Sequence, residues 1–332
     1  MAVKDRDMDT QRRRLFCSAL AAIATSVLPA MATPQAYPSR GSRVVVGFPA
    51  GGPVDIAGRL IAPWLSERLG QPFSVDNVPG ESGNVATRSV VRAAPDGYTL
   101  LVCGPVNTIN ATLFDHLDFD FGRDVVAVGG LYRVPLVIEV SPSVPVRTVG
   151  EFINYAKQNP GKLRVGFAGL GTPQHVGIEL FGSMAAVDLT LVPYLGSTPA
   201  LEDLLAGRID AMFDPMPSSI GHIKAGKLVP LAVTSSVRSE NLPDVPIAAD
   251  TVQGYQAGSW FGIVAPRGTP EAIVDRLNGT INEALSDIAI RAKIMELGAS
   301  PIQGSPAQFT KLIAEETKKY AVLIRSGVIR SK

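Results

Sequence analysis

The chain has 332 residues, of which 46% are hydrophobic and 18% charged, with 31 Lys+Arg against 30 Asp+Glu. This is the mix of a globular protein, and it excludes disorder as a reading of the bulk. A formal net charge of +1 offers no electrostatic footprint for nucleic acid, and 6% aromatic residues give no base-stacking platform.

Residues 1–32 read as an export signal. Arg12, Arg13 and Arg14 form a basic stretch, an Ala-rich apolar run extends from Leu15 to Leu28, and Ala30-Met31-Ala32 is a small-x-small cleavage site that makes Thr33 the mature start. The apolar run is too short and too Ala-rich to span a bilayer. Arg13-Arg14-Leu15-Phe16 also fits a twin-arginine pattern, so both that route and ordinary Sec export stay open. The expected location is the periplasm. Cys17 lies inside the signal and lacks a lipobox, which leaves Cys103 alone in the mature chain, without an intrachain disulfide. Stability must then come from the core, and about 300 residues suffice for roughly two domains.

Short β-rich runs alternate with helical spacings. Val44–Phe48 reads as a buried strand, followed by Ile56, Leu60, Ile61, Leu65 and Leu69 at helical spacing, with Gly70 as the stop. Pro63 falls inside that helix and predicts a bend or split near Ala62-Pro63. Strands at 73–75 and 98–102 flank a helical stretch over 85–92. Strands at 163–167, 189–192, 211–213 and 231–233 follow, separated by helices carrying Val176, Leu180 and Met184, then Leu201, Leu204 and Leu205. The C-terminal part is mostly helical, with Ile273, Leu277, Ile281 and Leu285, then Phe309, Leu312, Ile313 and Tyr320. Such alternation predicts α/β layers with largely parallel sheets in two lobes separated by a cleft. Ligands in open α/β sheets sit outside the C-terminal strand ends, so function is to be sought in the loops there.

Three loops share one design: strand, glycine, then proline near a helix start. They are Phe48-Pro49-Ala50-Gly51-Gly52-Pro53-Val54-Asp55, Gly166-Phe167-Ala168-Gly169-Leu170-Gly171-Thr172-Pro173-Gln174-His175 and Tyr194-Leu195-Gly196-Ser197-Thr198-Pro199-Ala200. Glycine lets a ligand approach the backbone, and the helix N-terminus favours an anion. An ordinary tight strand-to-helix turn explains any one of these loops equally well.

Several enzyme classes fail on pattern. Gly169-x-Gly171-x-x-Gln174 lacks the third glycine of a dinucleotide fingerprint, and no P-loop or G-x-S-x-G elbow is present; Gly80-Glu81-Ser82-Gly83 is off pattern. The three histidines, His116, His175 and His222, lack metal-ligand spacing, and no C-x-x-C exists. His175, Ser197 and Asp214 each lie near a strand end and form a nominal triad, although sequence supplies no geometry for it. Phe48 and Tyr194 flank glycine turns; Trp260-Phe261 reads as part of a buried strand.

The chain resembles the solute receptors of tripartite tricarboxylate transporters, also called Bug receptors, from about Arg43 to the C-terminus. The segments that carry the likeness, in order, are Phe48–Asp55, Ala94–Leu100, Asn159–Leu163, Gly171–His175, Val192–Ala200, Ala225–Leu228, Leu242–Pro246 and Ser259–Gly262. The resemblance implies a two-lobed periplasmic binding protein of type II, a Venus flytrap with two mixed, mostly parallel sheets and a cleft between them. It implies lobe 1 over 41–137 plus 262–332, lobe 2 over 138–261, and linking strands near Val137–Glu139 and Phe261–Val264. The implied ligand contacts are Phe48, Pro49, Gly51, Gly52 and Asp55 in the first lobe, with Asn107 as a further candidate. In the second they are Gly171, Thr172, Gln174, His175, Tyr194, Gly196, Ser197 and Asp214. The family often has Asn-Arg-Pro-Gly where this chain has Asn77-Val78-Pro79-Gly80, and Glu81 replaces a small residue.

The expected function is capture of a small carboxylate by lobe closure without chemistry. The acid is a dicarboxylate, a tricarboxylate, an amino acid or an aromatic acid. No catalytic residue, cofactor, metal or nucleic acid is expected. The partners are the membrane components of a tripartite transporter or a sensor kinase, and the receptor is expected to act as a monomer. Two alternatives remain: a ligand sensor feeding a two-component system, and a secreted α/β hydrolase built on His175, Ser197 and Asp214.

Overall fold

A computed structural model describes residues 37–329. The export signal, its cleavage site, the twin-arginine motif and Cys17 lie outside the described residues. In chain order, β1 (Ser42–Val46), α1 (Pro53–Leu69), β2 (Phe73–Asn77), α2 (Asn84–Val91), β3 (Thr99–Cys103) and α3 (Pro105–Leu113) lead through the short α4 (Phe121–Asp124) into β4 (Val125–Val140). There follow α5 (Val149–Gln158), β5 (Arg164–Phe167), α6 (Pro173–Ala185), β6 (Thr190–Pro193), α7 (Ser197–Leu205), β7 (Ala211–Pro215), α8 (Met216–Lys224) and β8 (Val229–Val233). The last elements are β9 (Gly258–Pro266), α9 (Glu271–Ser286), α10 (Ile288–Glu296), β10 (Ser300–Pro301) and α11 (Pro306–Arg325).

The strands run in the order β2-β1-β3-β9-β4-β7-β5-β6, with β8 and β10 also on β4. Pairing of β1 with β2 and β3 is parallel, as is that of β5 with β6 and β7. Strand β4 pairs antiparallel with β9 over Val125–Pro135, then with β7 and β8 beyond Leu136. One 16-residue strand thus belongs to two sheets. The central strands read as unbroken apolar runs because helices cover both faces; Val44, Val45 and Val46 are fully buried.

Two cores follow from this division. The first gathers Val45, Leu101, Cys103, Val264, Trp260 and Phe309. The second gathers Ile138, Phe152, Val165, Phe181, Phe213 and Tyr255, where the Phe181 ring meets Phe152, Phe213 and Tyr255 edge-on. The architecture is α/β and two-lobed. A smaller cluster of Ile109, Leu113, Val176 and Tyr320 joins α3, α6 and α11. Cys103 is a free, buried thiol whose ionisation burial opposes.

The first helix decides against one of two alternatives, the split. Helix α1 does not split at Pro63 but continues to Leu69, where Gly70 ends it in the left-handed conformation. Pro63 is on the exposed side, so its ring disturbs no packed neighbour.

Candidate functional site

Five helices begin around one small cavity of about 40 Å³ between the lobes. Pro53 and Val54 at the head of α1, Gly104, Pro105 and Val106 at the head of α3, and Pro173 and Gln174 at the head of α6 line it. Ser197 opens α7, and Pro215 precedes α8. Phe48, Ala168, Thr172, Ser259 and Phe261 complete the wall. The first N–H groups of a helix have no partner within it, so each start offers donors and the positive end of a dipole. Proline at the first position suits a helix start, because its missing N–H would have had no partner there. No lysine or arginine side chain lies on this wall. The arrangement can hold an anion, and what it offers one is backbone dipoles rather than a cation.

Behind the wall a hydrogen-bonded chain fixes the second-lobe side. Gln174 Oε1 accepts from the Ala168 N–H at 2.7 Å, and Gln174 Nε2 donates to Ser197 Oγ at 2.8 Å and to Asp214. Ser197 Oγ donates to Asp214 Oδ1 at 2.7 Å, while Ser218 and Ser219 bond the other carboxylate oxygen. Ser219 Oγ also lies 2.6 Å from Glu139 Oε1. One hydroxyl has one proton and cannot donate to two carboxylates, so one of the pair carries a proton; Asp214 has four donors and Glu139 one, which favours the proton on Glu139. Both carboxyls are 0% exposed. Burial and the Asp214 charge push Glu139 well up; burial also raises Asp214, against the pull of its four donors.

The first-lobe loop is fixed differently. Asp55, buried in the first turn of α1, accepts from the Gly51 N–H at 2.9 Å, from Arg59 at 2.8 Å and from Asn77 at 2.9 Å. Burial alone would raise its carboxyl, but the donors Arg59, Gly51 and Asn77 outweigh burial and hold it low. Asn77 also donates to the Phe48 carbonyl at 3.0 Å. The loops then meet across the cleft. Thr198 Oγ1 donates to the Ala50 carbonyl, and a Cβ on Gly196 would stand 2.7 Å from Pro49 Cδ.

Of the residues expected to touch ligand, Phe48, Thr172, Gln174 and Ser197 are on the cavity wall. The others lie off it. Pro49, Gly51, Gly52 and Gly196 shape the loop contact, and Asp55 holds the loop from behind. Asn107 caps α3, accepting from the Gly104 N–H and donating to Thr87 Oγ1. Gly171 packs against Asn110 at a φ of +73°. Tyr194 turns away and donates to Asp203 at 2.7 Å. Asp214 supports Ser197 and Gln174 from beneath.

His175 stacks on Phe167 with ring centroids 5.2 Å apart, and its Nδ1 faces the Gly171 N–H at 3.4 Å. Burial lowers its pKa to about 4, which keeps it neutral. It makes no hydrogen bond to Ser197 among the described residues, so the nominal triad is not assembled. Sequence reasoning named Asn107 on α3 but not Gly104, Pro105 or Val106 at its head, placed Ala168 in a candidate loop without making it a contact, and missed Pro215, Ser259 and Phe261 as wall residues. The signal for α3 was available, because Cys103-Gly104-Pro105 repeats the strand–glycine–proline pattern.

The profile described as tripartite tricarboxylate transporter family receptor matches residues 57–328. The chain belongs to the tripartite tricarboxylate transporter receptor family. BugT of Bordetella pertussis is 35% identical over 309 residues, covering 91% of this chain and 94% of BugT. Rpa4515 of R. palustris, solved with adipate, superposes with a TM-score of 0.86 at 38% identity, over 89% of this chain and 99% of that one. MatC from Rhodopseudomonas palustris, solved with malate, gives 0.83 at 33% identity, over 87% of this chain and 100% of its own. These receptors are periplasmic solute-binding proteins and not enzymes; they serve transporter membrane components.

Proposed function

We propose that this receptor captures an aliphatic dicarboxylate and releases it unaltered to the membrane components of its transporter. The observation that carries this reading is the convergence of five helix N-termini on a cavity without a cationic side chain. A carboxylate seated there accepts first-turn N–H groups, each helix end contributing about 1–2 kcal/mol in a dry site. Phe48, Phe261 and the prolines suit a short methylene chain rather than a polyhydroxylated one. Adipate in Rpa4515 and malate in MatC, both dicarboxylates, support the class.

We place the lobe boundary at 137/138 on β4 and 261/262 on β9; Ile138 packs in the second core, in keeping with the first of these, while Leu136 already pairs with Pro215 of β7 and packs there too, which draws the crossover on β4 a residue or two earlier. Residues 1–32 act as the export signal in this reading. N-terminal sequencing of periplasmic protein tests it; a start upstream of Thr33 overturns it.

A thermal-shift panel of adipate, malate, citrate, glutamate and benzoate, with the diamide of adipic acid as the neutral control, tests the ligand class. A bound dicarboxylate raises Tm with concentration by mass action, and the diamide does not. A diamide as effective as the acid, or no response to any dicarboxylate, overturns the reading.

A further inference from the structure

A second cavity, of about 380 Å³, lies behind the β4–β9 ribbon. The register fixes which face it occupies. Val134 pairs with Ser259, Arg133 with Trp260 and Tyr132 with Phe261. Side chains alternate along a strand, so Phe261 reaches the solute cavity while Arg133 and Trp260 stand on the opposite face; Pro173 and Ser259 line both cavities, which adjoin there.

The walls of this groove come from different elements. Helix α6 supplies Val176 and Leu180, and α11 supplies Leu312 and Leu323. The polar end holds Arg133, Glu316 and Lys319. Glu316 is already engaged: Oε2 accepts from Trp260 Nε1 at 3.3 Å, and Oε1 lies 3.3 Å from Lys319 Nζ. Arg133 makes no side-chain hydrogen bond or ion pair with any described residue. Arg133 is exposed, so one guanidinium faces solvent without a protein partner among the described residues, at the mouth of a groove that Thr234, Ser235 and Gln256 share with its apolar residues, and whose volume falls in the ordinary range for ligand pockets, roughly 300–1,000 Å³.

We propose that this groove is a second binding site, adjoining the solute cavity but centred on different residues, for an amphipathic monocarboxylate with an aromatic or branched apolar body. The carboxylate pairs with Arg133 in the two-pronged geometry that guanidinium favours. The body lies between the leucines of α6 and α11 and against the Trp260 ring. Glu316 disfavours a second negative charge, which separates this ligand class from the dicarboxylates of the first cavity. Two cations beside the mouth disfavour an organic amine. The proposal does not rest on the reading of the solute site.

The two tryptophans give a direct test. The Trp260 indole N–H lies in the groove, whereas that of Trp64 donates to the Thr280 carbonyl on α9. With ¹⁵N-labelled tryptophan, the full-length mature protein shows two indole signals, assigned with Trp64→Phe. Titration with 4-(trifluoromethyl)benzoate shifts the Trp260 signal saturably and leaves that of Trp64 in place; the corresponding benzamide does neither. Arg133→Gln weakens the probe about tenfold or more, and Glu316→Gln strengthens it. No saturable Trp260 shift, equal response to the benzamide, or unchanged affinity in Arg133→Gln overturns the proposal. The indole spectrum also reports whether each variant is folded.

Discussion

Thr198 Oγ1 donates to the Ala50 carbonyl at 2.9 Å, tying the head of α7 to the loop before α1. This bond links the two lobes, so it contributes to closure and not to either lobe alone. A typical net hydrogen bond contributes about 0.5–1.5 kcal/mol. Thr198→Val is therefore expected to lower affinity for the captured acid by about 2–10-fold. The Tm without ligand stays within about 2 °C of wild type, since exposed positions contribute little. Calorimetric titration and a thermal scan check both; an unchanged affinity removes the bond from the closing mechanism.

Gly196 tests the same contact from the other side. Its φ is 178°, ordinary extended backbone, so alanine brings no strain there. The added Cβ would nevertheless stand 2.7 Å from Pro49 Cδ, closer than real contacts allow. Gly196→Ala is expected to fold normally and to lose about fivefold to a hundredfold in affinity, because overpacking typically costs about 1–3 kcal/mol and here falls on the approach of the loops. Wild-type affinity in this variant shows that the loops stand farther apart when ligand is held.

The strand–glycine–proline pattern made the heads of α1 and α6 legible, because glycine and proline have few conformational options and their combination marks a helix start. Its repeat at Gly104-Pro105 escaped notice for a physical reason. Helix α3 buries Asn107, Thr108 and Asn110 beside Ile109, so it shows no amphipathic stripe. Of strand β4 only Val137–Glu139 was anticipated, since Gly129-Gly130 and Pro135 punctuate the rest of its 16 residues. The polar residues near the loops were harder still. A sequence places Asp55, Tyr194 and Asp214 beside a cleft but cannot say whether they face it or brace what does.

Tyr194 turns that ambiguity into a measurement. Burial and its bond to Asp203 push the phenol up to about 12. Tyr194→Phe removes only that bond, so stability falls by about 0.5–1.5 kcal/mol while solute affinity is unchanged. Denaturant unfolding and calorimetry separate the two quantities. An affinity loss of fivefold or more returns Tyr194 to the ligand contacts.

His175 predicts a pH dependence of stability. Its folded pKa of about 4 lies below the ordinary value of 6.5. Above about pH 6.5 both folded and unfolded chains hold it neutral, and the full stability is present. As pH falls from there toward 4, the unfolded chain takes up the proton first, and stability is lost. The difference amounts to about 3 kcal/mol at full development. His175→Gln, compared with wild type by urea unfolding at pH 7.5 and 4.5, is expected to show a shallower loss. Parallel losses in both proteins show that His175 is not the titrating group.

Glu139 acts in the opposite sense. Its carboxyl is buried beside Asp214, and its folded pKa lies well above the ordinary 4.5. Below pH 4.5 the acid is protonated in both states, and the contribution of the folded site is fully present. As pH rises, the unfolded chain ionises while the buried acid does not, so stability is lost across that interval. Glutamine has the shape of the neutral acid and cannot ionise in either state. Its amide can donate to Ser219 Oγ, as the protonated carboxyl does, leaving the Ser219 hydroxyl free to donate to Asp214. Glu139→Gln is thus expected to raise Tm at pH 7.5 by a few degrees, about 2–4 °C for each kcal/mol relieved. The advantage shrinks to nothing near pH 4. Thermal scans of both proteins from pH 4 to 8 check this, and a variant less stable than wild type at every pH shows that Glu139 is held as a carboxylate.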